Sequence, residues 1–303
     1  MTAQNQKSEK GSAGTNDGPK QRKRIDWLGE IKGLAVLLLI VLGIHSLIAK
    51  PFYIPSISMM PTLLVGDRLV VTKYPYGWSW VSPSFHLLPP LEGRVLGRVP
   101  ERGDIVILTP PGETQDYIKR VVGLPGDIFE MRDGQIFLNG RPVKQEVQPA
   151  LDLPVDANNP CSPADFPGAL QFGDNGEPRC MVNIVRETLP NGVTYDTIDA
   201  RQTAADNVAP LRIPAGHLYL LGDNRDNSAD SRVPAPPGLG GPVPLENIGG
   251  RAELVTFSLD GSSTLNPVSW FSAMRSGRIG TSLRPQKVPA DDGRPAATSD
   301  QTQ

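Results

Sequence analysis

Residues 31 to 49, IKGLAVLLLIVLGIHSLIA, limit this chain more than any other segment, because nearly every side chain is apolar and Lys32 is the only lysine, arginine, aspartate or glutamate. Roughly 17 to 25 apolar residues cross a bilayer as a helix, so the run is just long enough. The basic cluster KQRKR, Lys20 to Arg24, precedes it. Basic flanks stay in the cytoplasm, which puts residues 1–30 inside and everything after Lys50 outside. A cleaved secretory signal is the rival reading. Against it stand the long N-terminal region, Leu47-Ile48-Ala49 in place of a small-x-small cleavage pattern, and Pro51 just beyond. The segment reads as an uncleaved single-span transmembrane helix in contact with the lipid bilayer.

Beyond the anchor the expected fold class is mostly β. Gly 31 and Pro 31 make up about a fifth of the chain, which suits short strands joined by turns. Strand-like runs fall at 67–74, 103–111, 116–123, 135–143, 216–223 and 251–259, each bounded by Gly, Pro or Asp. They predict an antiparallel β-sheet domain over 50–275, built from one or two packed sheets. Within it, residues 145–210 are polar and weakly periodic. They read as an insertion rather than a second core. Residues 1–30 and 276–303 have the composition of flexible tails. With a net charge of -2 there is no basic surface to suggest nucleic acid. Cys161 and Cys180 are the only cysteines; outside the cytoplasm they form either a disulfide or two separate thiols.

Three stretches carry possible chemistry: IPSISMMPTLLVGD (54–67), DYIKRVVGLPGD (116–127) and GDNRDNSADSR (222–232). Taken singly, each has a plain structural reading as a turn, a strand end or a polar loop. The third fails as a calcium loop, since Ala229 and Ala235 stand where Gly and Glu are required. No metalloprotease, Walker or nucleophile-elbow motif occurs, so neither metal nor cofactor is expected. The chain has three histidines, His45, His86 and His217, and none is near Ser56 or Ser58 in sequence.

Together the three stretches resemble the type I signal peptidase family, bacterial membrane-bound serine proteases that use lysine as the base. The nucleophile pattern appears as Pro55, Ser56, Ser58, Met59, Pro61, Thr62, Leu63, Gly66 and Asp67. The lysine segment runs unbroken from Tyr117 to Asp127, and the third element runs from Gly222 to Arg232. The resemblance implies a signal-peptidase-like fold and a Ser58/Lys119 dyad. Ser228 would hydrogen-bond and orient Lys119, and the Ser58 N–H and Ser56 hydroxyl would form the oxyanion hole. The implied substrates are preproteins with small residues at positions -1 and -3 of the signal peptide. Phe52, Ile54, Met59, Leu63, Tyr117 and Ile118 would line the pocket. The implied location is the bacterial cytoplasmic (inner) membrane, N-terminus inside.

A lysine of pKa about 10.4 is almost entirely protonated at neutral pH. Burial lowers that value, and reaching about 8 costs about 3 kcal/mol. Ile118, Val121 and Val122 around Lys119, with Met59 and Met60 after Ser58, are suited to supply that burial. Strand alternation sends Arg120 to the other face. Arg120, Arg225 and Arg232 are expected to pair with Asp223 and Asp230, in an order the sequence leaves open. Trp78, Trp80, Trp270 and Phe271 suit either a membrane interface or ordinary packing. Rival functions are a specialised maturation peptidase of a secretion or conjugation system, a self-cleaving repressor of the LexA type, and a non-catalytic anchored binding domain. The repressor reading lacks a helix-turn-helix pattern.

Overall fold

The structure is a computed structural model and describes residues 27–83 and 88–287. The expected N-terminal tail through residue 26, His86 and the C-terminal residues from 288 lie outside the described residues.

Helix α1 (Trp27–Leu47) is apolar, has no buried residue, and is long enough to cross a membrane. It begins earlier than the expected 31–49 span and stops before its end. Ile48 makes the last helical bond, to Ile44, and Ala49 already pairs with Thr72 in a sheet.

The remaining elements from Val41 onward are almost all strands. In chain order they are β1 (Ala49–Tyr53), β2 (Asp67–Thr72), β3 (Ile105–Leu108), β4 (Tyr117–Gly123), β5 (Ile128–Arg132) and β6 (Gln135–Leu138). Next come β7 (Arg141–Pro142), β8 (Lys144–Leu153), β9 (Leu170–Phe172), β10 (Pro178–Thr188) and β11 (Val193–Thr197). The last are β12 (Val208–Arg212), β13 (His217–Leu221), β14 (Val243–Pro244), β15 (Ile248–Ser258), the short helix α2 (Pro267–Ser272) and β16 (Gln286–Lys287).

Strands β1-β2-β15-β3-β4-β13-β14 form a seven-stranded antiparallel sheet. Long β15 shifts register against both β2 and β3; such bulges bend a strand and help a sheet curl. Five of the six expected strands are β2, β3, β4, β13 and β15 of this sheet, while the run 135–143 is split by a turn at Asn139–Gly140 into the paired strands β6 and β7.

Two regions differ from expectation. Residues 145–197 carry most of a five-stranded sheet, β16-β11-β10-β8 with β9 beside β10, packed on a core that Met60 and Leu64 also enter. Cys161 and Cys180 are disulfide-bonded there, among Phe166, Val182, Ile184 and Ile198. The apolar signal was weak because β8 is exposed along nearly its whole length. Val208–Pro210 begin β12 of a third sheet, β12-β5-β6-β7, beyond the one or two sheets expected. Residues 276–287, expected in a flexible tail, pack on the domain. Arg278 pairs with Asp67, Arg284 pairs with Glu253, buried Leu283 joins the first sheet's core, and β16 pairs with β11. Anchoring through arginines leaves little hydrophobic pattern to read.

Candidate active site

The segment that carries Ser58, the expected nucleophile, is held from both sides by apolar side chains. Ile54, Met59 and Leu63 sink into the core shared by β1, β2, β3 and β15, while Met60 and Leu64 enter the core containing the disulfide. Tight-turn hydrogen bonds, Met60 N–H to Ile57 and Leu63 N–H to Met59, fix the backbone between them. Ser58 is carried on this turn with 7% of its surface exposed. Its carbonyl accepts from the Asn224 N–H at 3.1 Å.

Lys119 lies on β4, opposite Val106 of β3, and is 3% exposed. Its Nζ donates to Ser58 Oγ at 3.0 Å and to the Ile118 carbonyl at 3.0 Å. Burial pulls the Lys119 pKa down to about 8 against the pull of Asp230 and Asp223, with Arg232 adding a small push downward. An ammonium stripped of water loses hydration that two carboxylates at a distance do not restore. A lysine near 8 is neutral often enough to act as a base, which an exposed lysine is not.

Arg120 points to the other face, as alternation requires. It grips Asp223 at 2.7 and 2.6 Å and packs 4.2 Å from the Tyr195 ring centroid. The Thr62 hydroxyl donates to the same Asp223 at 2.6 Å, tying the nucleophile segment to the 222–232 loop. Arg232 pairs with Asp230, which also accepts from the Gly222 N–H at 3.0 Å. Arg225 departs from the expected set. Its partner is Glu187 on β10, bound at 2.6 Å by both guanidinium nitrogens. Nothing in the local motif points to a carboxylate 38 residues away.

Ser228 also departs from expectation. Its buried Oγ has no hydrogen-bond partner, so the expected bond to Lys119 is not formed. The hydroxyl sits against Gly222 instead: a Cβ there would lie 2.2 Å from Ser228 Oγ and 2.5 Å from the Ser58 carbonyl oxygen. Lys119 Nζ bonds Ser58 and Ile118 instead. Ser56 is exposed, with its Oγ 3.3 Å from Ser58 Oγ.

A pocket of about 250 Å³ opens over the pair. Of the expected lining residues, Phe52, Ile54, Tyr117 and Ile118 are in its wall. Met59 and Leu63 are not; both are wholly buried in the core beneath. Sequence reading missed Gln115, Asp116, Asn227 and Ala229, which also line it. The first two immediately precede β4 and the others flank Ser228, so proximity to the motifs was the available signal. Among the described residues no group of three or more His, Cys, Asp and Glu is placed to hold a metal ion.

Residues 27–257 match the family described as signal peptidase, peptidase S26. The chain belongs to that family. A signal peptidase I of Rickettsia typhi is 35% identical over 239 residues, covering 76% of this chain and 80% of that protein. Those of Rickettsia prowazekii and Rickettsia akari are 35% and 36% identical, covering 76% and 74% of this chain and 80% and 77% of theirs. A signal peptidase I structure from Enterococcus faecalis is 23% identical and covers 51% of this chain and 97% of that one, with a TM-score of 0.26, too low to compare folds. As a member of the signal peptidase family the chain is a serine endopeptidase, and the non-catalytic and repressor readings fall away. An apolar N-terminal helix in a signal peptidase is consistent with membrane anchoring.

Proposed function

We propose that this peptidase removes N-terminal signal peptides from preproteins by acyl-enzyme catalysis, with Ser58 as nucleophile and neutral Lys119 as general base. The observation that carries the reading is the 3.0 Å contact between Lys119 Nζ and Ser58 Oγ, both buried at the wall of an open pocket.

In this scheme Ser58 Oγ attacks the scissile carbonyl and its proton passes to Lys119. The Ser58 N–H and the Ser56 hydroxyl receive the developing oxyanion. The new ammonium donates its proton to the departing amine, which leaves an acyl-enzyme. Lys119, neutral again, takes a proton from water as the water attacks the ester, then returns one to Ser58. Ser228 contributes by packing the 222–232 loop onto the turn that bears Ser58.

The substrate would lie as an extended strand along β4. Strand β13 joins β4 only from Arg120 to Gly123, while Tyr117, Ile118 and Lys119 line the pocket. A chain added to a sheet edge gains backbone hydrogen bonds, and side-chain pockets then set the choice of residue. The small pocket walled by Phe52, Ile54, Tyr117 and Ile118 favours small residues at positions -1 and -3.

The proposed location is the bacterial inner membrane, with the N-terminus cytoplasmic and the β domain on the outer side. Support comes from the basic residues before α1 and from the Cys161–Cys180 disulfide, which persists in an oxidising compartment. The test is incubation of the solubilised protein with a preprotein, wild type beside Ser58→Ala, with the cut located by mass. One cut after a small-x-small sequence, lost in the variant, is expected. The same cut made by Ser58→Ala would overturn the proposal.

A further inference from the structure

The seven-stranded sheet curls without closing. Three strands separate β1 from β4 in hydrogen-bonding order, yet Phe52 and Tyr53 of β1 line the same pocket as Tyr117, Ile118 and Lys119 of β4. The pocket is the open seam between the two strands. Ser58 and Lys119 occupy one part of it.

The other part is bridged. Lys50, near the start of β1 and three residues after the end of α1, places Nζ 3.8 Å from Oδ2 of Asp116, the residue before β4. Lys50 also lies 4.7 Å from the ring centroid of Phe52, a pocket wall. Asp116 itself lines the pocket and is braced by the Thr109 hydroxyl at 2.8 Å. The dyad chemistry uses none of these groups.

Asp116 precedes Lys119 by three residues, about 10 Å along a strand. A substrate paired with β4 therefore passes the ion pair about three residues, or slightly more, away from its scissile bond. Resting on the signal-peptidase reading, we infer that the Lys50–Asp116 ion pair is a latch across the substrate seam, which the incoming strand must part to reach Ser58.

A latch that opens before binding is complete raises KM and leaves kcat alone, because the cost falls on substrate capture and not on bond cleavage. The pair is partly exposed, with side chains 31% and 19% accessible, so its hold is modest and sensitive to salt. Exposed pairs of this kind correspond to an effect of about two- to fivefold.

The test uses the full chain in detergent micelles with a signal-peptide substrate, comparing wild type, Lys50→Met, Asp116→Asn and the double variant. Each single change should lower KM about two- to fivefold, and Lys50→Met, whose side chain is not part of the pocket wall, should do so at unchanged kcat. The double should go no lower than the singles, since both remove one interaction. Added salt should lower KM for wild type and leave the variants unmoved. Unchanged or raised KM in the single variants, or a double effect equal to their product, would overturn the latch. Absence of cleavage by wild type would instead overturn the peptidase reading on which it rests.

Discussion

Glu187 and Arg225 meet end to end, with both oxygen–nitrogen distances 2.6 Å and side-chain exposure of 0% and 1%. Glu187 belongs to β10 of the second sheet, and Arg225 to the loop that carries Ser228. The Tyr195 hydroxyl donates to the same carboxylate at 2.8 Å. The region expected to be an insertion thus grips the 222–232 loop through a buried charge pair. Removing one partner strands the other charge. Glu187→Gln should cost about 3–5 kcal/mol, whereas a joint Glu187→Met and Arg225→Met replacement should recover most of that loss. Denaturant unfolding of the three proteins measures both values.

Gly222 has no room for a methyl group. A Cβ would meet Ser228 Oγ at 2.2 Å and the Ser58 carbonyl oxygen at 2.5 Å. Gly222→Ala must push the loop away from the nucleophile turn, and a shift near 1 Å costs about 10²-fold in rate. The expected loss is in kcat, read from steady-state cleavage, with folding checked by circular dichroism.

Burial of Lys119 stores a stability cost that depends on pH. Its folded pKa of about 8 lies below the ordinary 10.5. Below about 8 the group is protonated in both states and the folded state carries the penalty, about 3 kcal/mol at 1.36 per pKa unit. Between about 8 and 10.5 the unfolded chain holds the proton and the folded chain does not, so stability rises with pH. The stability of Lys119→Met relative to wild type should therefore fall by about 3 kcal/mol across that window. Paired denaturant titrations across the window check the sign and size.

The Cys161–Cys180 disulfide closes a loop with sequence separation 19 around the core that also receives Met60 and Leu64. A loop of that size stabilises by about 3 kcal/mol in the chain-entropy description. Replacing both cysteines by alanine should lower the unfolding free energy by about that amount, measured with and without reductant. The reductant should affect only the wild type.

The sequence displayed the Ser58–Lys119 pairing well, because each motif is contiguous and strand alternation separates Lys119 from Arg120. It also displayed β2, β3, β4, β13 and β15 of the first sheet, whose apolar residues face a core, but neither β1 nor β14. It displayed the second sheet poorly, since β8 is exposed along most of its length and alternation there has little apolar content. Met59 and Leu63 look like pocket residues beside a nucleophile, but the turn that presents Ser58 sends both into the core. The Glu187–Arg225 pair depends on how β10 lies against the loop, which no local pattern encodes. Ser228 fell within a motif, yet the packing of its hydroxyl on Gly222 is a matter of backbone approach.

The most direct measurement is the pH dependence of kcat/KM for a preprotein substrate. The neutral lysine is the active form, so the rate should rise with pH and reach half its plateau at about pH 8, following the lowered Lys119 pKa. Lys119→Met should abolish cleavage at every pH while the fold persists. A Lys119→Met protein that cleaves at the wild-type rate would contradict the assignment of Lys119 as the base.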